Sequence, residues 1–129
     1  MLRFRSTDTQ ISASLIAHFR SLTKLSIAEI RTRAADSQPL IEITPFRNDW
    51  DESRHLLVQL SREIDSGAVP LSVTEVVNDL ESPVSPEMLR NLIQTYRGIE
   101  TDDQMHTELE LGEISDPSEF EACDEDWTQ

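Results

Sequence analysis

Two kinds of apolar spacing alternate over residues 2–77, and they constrain the fold of this chain more than any other feature. Short runs that are apolar, or alternate apolar with polar residues, begin at Leu2, Pro39 and Val69 and predict strands. Between these runs, apolar residues recur every three or four positions, as on the buried face of a helix. The sequence therefore predicts the order β-α-α-β-α-β, an α/β (α+β) fold with a small three-stranded sheet and helices on one face.

Capping signals mark the ends of the predicted helices. Ser26 and Glu29 have the spacing of a capping box, in which the two residues satisfy free amides at a helix N-terminus. Asp49 and Glu52 repeat this spacing before the third helix, so we expect a second cap there. Gly67 follows that helix, where the residue after a helix often adopts a positive φ. These signals predict where each helix begins and ends.

The chain continues beyond the third predicted strand and then changes in composition. We expect a loop over residues 78–84 and an extra helix over residues 85–97, with Ser at the N-cap, Pro at N1 and Gly98 at the end. The predicted domain organisation is a compact domain over residues 1–98 and an acidic C-terminal segment over residues 99–129.

Most of the net charge lies in that C-terminal segment. The formal net charge of the chain is −14, yet no Lys or Arg follows Arg97 while twelve acids do. Residues 107–111 alternate as a strand would, and Phe120 and Trp127 are aromatic residues spaced among the acids. The segment is therefore either a disordered, solubilising tail or an ordered element that docks on a surface. A block of one sign indicates a partner of the opposite sign.

The segment over residues 16–31, IAHFRSLTKLSIAEIR, resembles a known pattern, I-x-x-V-R-x-x-T-G-L-G-L-x-E-A-K. This pattern occurs in the C-terminal domain of the bacterial ribosomal stalk protein. The matching residues are Ile16, Arg20, Thr23, Leu25 and Glu29. The resemblance implies the same small α/β layer over residues 2–77.

The resemblance also implies a docking face on the helix pair at residues 12–36. Basic residues on that pair recruit translation factors in the stalk family, and by position Arg20 and Arg31 carry over. Lys24 stands where the family has glycine and adds a third cation to this face. The alternative function is thus an adaptor protein that docks a translation factor or a protease. A fold can nevertheless host unrelated functions, so a ribosomal role is not expected.

The residues that could carry chemistry do not form a recognisable reactive set. Asp49, Asp51, Glu52 and His55 lie within seven residues, and Asp51 and His55 are spaced to share one helix face. Such residues could bind a metal ion, but acids are also favoured at any helix N-terminus. We predict no catalytic residue, metal or cofactor. The single cysteine, Cys123, excludes an intramolecular disulfide and favours a reducing, cytoplasmic location.

The leading functional hypothesis is an acidic protein-binding module. By analogy with small α/β immunity proteins, we expect an immunity or antitoxin-type inhibitor that occludes the basic active site of a toxin nuclease. Direct nucleic-acid binding is disfavoured by the net charge, and no run approaches the length of a membrane span. The predicted contact residues are Asp102, Asp103, Glu108, Glu110, Glu113, Glu119, Phe120, Trp127, Asp49, Asp51 and Glu52.

An excess of cations over acids in residues 1–36 has two interpretations. It forms either a solvated helix face or a basic surface that the acidic tail folds back to cover.

Overall fold

The computed structural model describes residues 1–47 and 49–129, and within them the chain forms four helices and four strands. The mixed α+β class predicted from the sequence is confirmed. A short 3₁₀ turn at Pro117–Glu119 follows the last helix. The elements in chain order are β1 (Leu2–Ser6), α1 (Ala13–Leu22), α2 (Ile27–Ala35), β2 (Pro39–Ile43), α3 (Trp50–Ser66), β3 (Leu71–Val77), β4 (Leu80–Val84) and α4 (Pro86–Leu111).

The strands form one antiparallel sheet in the order β2-β1-β3-β4. The N-terminal strand β1 is therefore central, with Phe4 opposite Ile41 of β2 and Val73 of β3. Because side chains alternate along a strand, Leu2 and Phe4 are fully buried while Arg3 and Arg5 reach the other face. On that face the arginines pair with Glu42 and Glu81, so its charges are balanced.

The prediction of three strands, with a loop over residues 78–84, is wrong. Residues 80–84 form the edge strand β4, which pairs with β3 to make a hairpin. Asn78 and Asp79 turn the chain with φ of 52° and 63°, a conformation that Asn and Asp tolerate better than most residues. Pro83 makes this strand hard to recognise from the sequence. Proline has no backbone N–H to donate, and an edge strand such as β4 tolerates it because one side of the strand needs no hydrogen bonds.

The helix starts largely follow the capping signals. The Ser26 hydroxyl accepts a hydrogen bond from the amide of Glu29 at 3.2 Å, which confirms the predicted N-cap. The Glu29 carboxylate accepts from the Ser26 hydroxyl at 3.2 Å instead of from the Ser26 amide that a capping box would use. Ser85 caps α4 in the same way, and Gly67 ends α3 with φ of 74°. Asp49 occupies the N-cap position of α3 but its side chain makes no capping hydrogen bond within the described residues. The predicted start of α3 after Asp49 is therefore confirmed, but the capping hydrogen bond expected there is wrong.

The last helix is much longer than the sequence predicts. A helix end at Gly98 and a strand over residues 107–111 are both wrong, because α4 runs without a break through both. Glycine inside a helix costs about 1 kcal/mol relative to alanine, too little to end a helix that packs on the core. α4 ends instead at Gly112, with φ of 75°. The domain boundary predicted near residue 98 thus falls inside a continuous helix.

One hydrophobic core lies between the sheet and the helices. Its side chains come from all four helices and all four strands, and also from Trp127 close to the C-terminus. Fully burying one such apolar side chain contributes roughly 1.5–3 kcal/mol. The largest fully buried side chains are Phe4, Phe19, Leu2, Ile30, Ile43, Leu57, Leu60 and Leu89.

Candidate functional site

The twelve acids after Arg97 divide into two groups by their surroundings. Three of them, Glu100, Asp124 and Asp126, lie within 4.0 Å of an arginine nitrogen. The other nine have no Lys, Arg or His nitrogen within 4.0 Å in the described part of the chain, and all of them except Glu108 are exposed. These nine are Asp102, Asp103, Glu108, Glu110, Glu113, Asp116, Glu119, Glu121 and Glu125.

Two of the unpaired acids on α4, Glu108 and Glu110, do not help the helix to form. Glu108 and Glu110 lie in its last turn, which contains no basic residue. The partial negative charge of the helix C-terminus disfavours carboxylates at this point. Stability alone therefore does not account for the placement of these charges.

The paired acids surround a carboxylate at the centre of the cluster. Glu100, whose side chain is 11% exposed, accepts hydrogen bonds on both oxygens. Oε2 accepts from the Trp50 indole at 2.7 Å and from Arg54 Nη1 at 2.9 Å. Oε1 accepts from the Trp127 indole at 2.6 Å and from Arg97 Nη1 at 3.2 Å. We call these five side chains the Glu100 cluster.

Asp124 extends the Glu100 cluster toward the C-terminus. Its Oδ1 accepts hydrogen bonds from Arg97 Nη1 and from the Gln104 amide, each at 3.0 Å, and its Oδ2 lies 3.4 Å from Arg54 Nη1. Arg97 is 8% exposed, and a charge so far from water is stable only when it is paired and hydrogen-bonded. Glu100 and Asp124 together provide that compensation.

The surroundings lower the pKa of both carboxylates. Burial raises the pKa of Glu100, but hydrogen bonds from Trp127, Trp50, Arg54 and Arg97 together outweigh burial and leave this pKa below its ordinary value. The Gln104 amide and Arg97 lower the pKa of Asp124 against a smaller effect of burial. Both side chains are therefore held as carboxylates at neutral pH.

Aromatic rings pack around the same cluster. The rings of Trp50 and Trp127 meet edge to face with centroids 5.5 Å apart, and Tyr96 packs on Trp50 at 5.7 Å. The Arg54 guanidinium lies 5.8 Å from the Trp127 ring centroid. Each aromatic pair of this kind contributes about 0.5–1.5 kcal/mol beyond its buried area. Phe46, 46% exposed, continues the group outward by packing on Trp50 at 5.3 Å.

The two acidic stretches predicted to bind a partner meet at this cluster. Asp49, Asp51 and Glu52 are exposed at the start of α3, on either side of Trp50. The hydrogen bond from Trp50 to Glu100 joins them to the part of α4 that carries the exposed residues Asp102 and Asp103. This hydrogen bond links two stretches about fifty positions apart, while Asp49 and Glu52 themselves line a groove with Ser21 and Leu22 of α1.

The structure places the predicted aromatic contacts differently from the acids. Trp127 is 4% exposed and lies in the core of the protein itself, so it does not face a partner in this conformation. Phe120 is half-buried. Glu113 is exposed just after α4, and Glu119 accepts a hydrogen bond from the nearby Ser115 hydroxyl at 2.9 Å.

The alternative docking face is also exposed. Arg20, Lys24 and Arg31 lie on α1, the following loop and α2, and none has a carboxylate within 4.0 Å among the residues that the structure describes. The acidic tail does not cover this region: its ion pairs within the described chain are with Arg54 and Arg97. The interpretation of the tail as a shield over residues 1–36 is wrong.

Sequence reasoning missed Arg54, Arg97, Glu100 and Asp124 as a unit. Their contacts span up to 70 positions, and no local pattern reports such contacts. The one available signal was Arg97, the last cation before the acidic segment, which sits three residues before Glu100 on a helix and can pair with it there.

The described residues give no sign of a metal site or a membrane span. In residues 1–47 and 49–129, no three side chains of His, Cys, Asp or Glu converge as metal ligands would, including those around Asp51 and His55. No helix in the same ranges combines the length and the apolar character needed to cross a bilayer.

Comparison with known proteins adds no relative. No protein-family model matches the sequence, and no match is found among curated proteins or solved structures. The resemblance of residues 16–31 to the stalk-protein domain thus stays a prediction. Any functional argument has to rest on the geometry of the site.

Proposed function

We propose that this protein is an acidic protein-binding module whose partner presents a basic surface. The observation that carries this proposal is the set of nine acids that have no cationic nitrogen within 4.0 Å in the described chain. The segment that carries them is held in place at both of its ends. The first of these acids, Asp102, lies on α4. The last, Glu125, lies between Asp124 and Trp127, which bind Arg97 and Glu100. Ordered carboxylates bind with a smaller loss of conformational entropy than a flexible tail would.

The surface around Phe46, which is 46% exposed and packs on the buried Trp50 ring, is the best candidate for the centre of the interface. The exposed acids Asp49, Asp51 and Glu52 follow Phe46 closely in the chain, and Trp50 links this stretch to Glu100 of α4. Interfaces concentrate their binding energy in a few aromatic and arginine contacts ringed by weaker ones. Charge steers the encounter and selects the partner. The partner surface expected here has lysine or arginine side chains around an apolar patch.

The partner class that fits this chemistry is a toxin nuclease in the cytoplasm, with this protein as its immunity or antitoxin-type inhibitor. A nuclease cleft is basic because it binds phosphates. Spaced carboxylates such as Asp102, Asp103 and Glu110 can occupy the positions of those phosphates and block access. This function requires no catalytic residue and no cofactor.

A second candidate function rests on the basic helix pair. The exposed cations Arg20, Lys24 and Arg31 have no carboxylate partner in the described chain, so α1 and α2 can dock an acidic surface. The protein would then be an adaptor for a translation factor or a protease.

Two matched variants distinguish these functions. The acid variant changes Asp49, Asp51, Asp102 and Asp103 to Asn, and the base variant changes the three exposed cations of α1–α2 to Gln. Partners captured from the native cell are identified by mass spectrometry, and their binding to each purified variant is then measured.

The acidic-module proposal predicts that the base variant keeps the partner while the acid variant loses affinity by at least about tenfold. The association rate should also fall about tenfold or more between low and physiological salt, because screening shortens the reach of the charges. Unchanged affinity of the acid variant, with loss in the base variant, would overturn the proposal in favour of the adaptor.

A further inference from the structure

Residues 112–129 form a strap that is attached to the rest of the protein at its two ends. At one end, Gly112 closes α4 with a positive φ, a conformation that lets the chain leave the helix sharply. At the other end, Asp124 binds Arg97, and Trp127 is itself a member of the Glu100 cluster. Between these points, residues 115–122 make hydrogen bonds only with one another in the described part of the chain. We call residues 112–129 the C-terminal strap.

The strap holds the protein through a small and specific set of contacts. An aspartate, Asp124, binds Arg97 and Gln104, and three residues later a tryptophan inserts its ring against Trp50. The Trp127 indole also donates to Glu100 at 2.6 Å. One carboxylate and one aromatic ring with a donor therefore account for most of the specific attachment.

The surface beneath the strap is complementary to those two groups. It contains two guanidinium groups, on Arg54 and Arg97, and one buried carboxylate, on Glu100. With the strap lifted, Arg54 would keep Glu100 and the exposed Asp51, whose Oδ1 lies 3.7 Å from its Nη2, whereas Arg97 would lose Asp124 and keep Glu100 as its carboxylate in the described chain. Glu100 Oε1 would also lose its shortest hydrogen bond. A nearly buried charge without compensation is strongly unfavourable. The Trp50 ring, which Trp127 now covers, would be uncovered and would complete a site for an aromatic side chain.

We propose that Trp50, Arg54, Arg97 and Glu100 form a binding site for an acidic segment that carries an aromatic residue. The C-terminal strap is its occupant and is bound intramolecularly. This site has the opposite charge preference to the exposed acids and does not depend on a basic partner. When the strap opens, the site accepts the same sequence from a separate polypeptide.

The linkage explains why the site is closed in the intact chain. A ligand joined by a short flexible segment acts at an effective concentration on the order of millimolar. A separate peptide with the same contacts competes poorly with it. Weakening the strap without changing the four residues of the site should therefore reveal binding from solution.

The test uses a fluorescent peptide with the sequence of residues 123–129, CDEDWTQ, labelled at its N-terminus, and full-length proteins. The Trp127→Ala chain should bind this peptide at least about tenfold more tightly than the native chain does, measured by fluorescence anisotropy. The Phe120→Ala chain, with the strap attached, is the matched control and should behave like the native chain. A CDEDATQ peptide should lose the binding, as should the chain that carries Arg97→Met together with Trp127→Ala.

Failure of a folded Trp127→Ala chain to bind the peptide would overturn the proposal, and so would equal binding by the Arg97→Met double variant. A cooperative urea transition checks that each of these two variants is folded.

Hydrogen exchange in the native protein provides an independent test that requires no variant. The amide of Cys123 and the indole N–H of Trp127 should exchange at least about tenfold faster than the amides of Leu57 and Leu60, because the strap opens without global unfolding. If the strap N–H groups are protected as strongly as the amides of Leu57 and Leu60, the strap opens only when the whole protein unfolds, which contradicts the proposal.

Discussion

Acids on α4 and acids at the end of the strap come from one uninterrupted acidic segment, yet their surroundings are opposite. Asp102 and Asp103 are exposed and have no cation within 4.0 Å in the described chain. Asp124 lies between two arginines and its pKa is lowered by hydrogen bonds. The difference comes from Arg54 and Arg97, which belong to the part of the chain before the segment. A run of like charge therefore contains residues that fold the protein and residues that remain free for a partner.

Trp127→Ala should cause the largest loss of stability, because Trp127 lies at the attached end of the strap beside the paired acids. The substitution removes the ring packed on Trp50 and the donor to Glu100, and loss of a buried tryptophan costs about 3 kcal/mol or more. Urea unfolding should show this loss. Phe120→Ala is the control on the same strap, and because that ring is only half-buried it should cost less than about 1 kcal/mol. Equal losses in the two variants would remove the distinction between the end and the middle of the strap.

Glu100→Gln should have the next largest effect. The amide keeps the shape of the side chain but removes the charge that compensates two arginines. It also replaces one acceptor oxygen with an NH2 group, which then faces other donors. We expect a loss of about 2 kcal/mol, since a broken buried pair leaves an uncompensated charge. Asp103→Asn, three residues later on the exposed side of α4, should change stability by less than about 0.5 kcal/mol. A large effect at Asp103 would contradict its assignment to the free acids.

Acid pH should loosen the strap only below the ordinary carboxyl pKa values. The pKa values of Glu100 and Asp124 lie below their ordinary values of 4.5 and 3.8. Their contribution to stability is therefore complete above the ordinary values and is lost as pH falls through the lowered ones. Despite the opposing effect of burial, the pKa of Arg97 is raised by its bonds to Asp124 and Glu100, and the two indoles that face Glu100 do not titrate in this range.

Fluorescence of Trp50 and Trp127, the only two tryptophans, reports this change directly because both rings lie in the cluster. The emission should change at a pH below those ordinary values, and Glu100→Gln should reduce the change. A transition centred above pH 4.5 would contradict this account.

Glu110→Gln should have the smallest effect and the opposite sign. It removes an exposed charge from the last turn of α4, where the helix dipole disfavours carboxylates. We expect a gain of a few tenths of a kcal/mol, roughly 0.3, measured by urea unfolding against the native chain. Destabilisation by this variant would mean that Glu110 has a structural role.

Much of the first half of the fold could be predicted because its signals are local. The alternation of Leu2 to Arg5 and the N-cap at Ser26 depend on neighbouring residues, and the structure has both. The strand β4 was missed because Pro83 usually argues against a strand. The length of α4 was missed because packing outweighs the modest cost of Gly98.

The candidate site could be predicted only in part. The exposed acids were identified from composition, since exposure follows from charge without further information. Apart from the local pair Arg97–Glu100, the Glu100 cluster depends on contacts between residues 27 to 50 positions apart, such as Trp127 with Glu100 and Trp50 with Glu100. Only the folded chain brings these together, so Trp127 was taken as an exposed contact when it is a core residue.

The contact between the two indole rings tests the central claim most directly. A NOESY spectrum of the native protein should show cross-peaks between the Trp127 indole N–H and the ring protons of Trp50, because the ring centroids lie 5.5 Å apart. Trp127 should also show shifts far from those of an unfolded chain. If these cross-peaks are absent and Trp127 has the shifts of a disordered residue, the strap is not attached and the division of the acids into two groups is wrong.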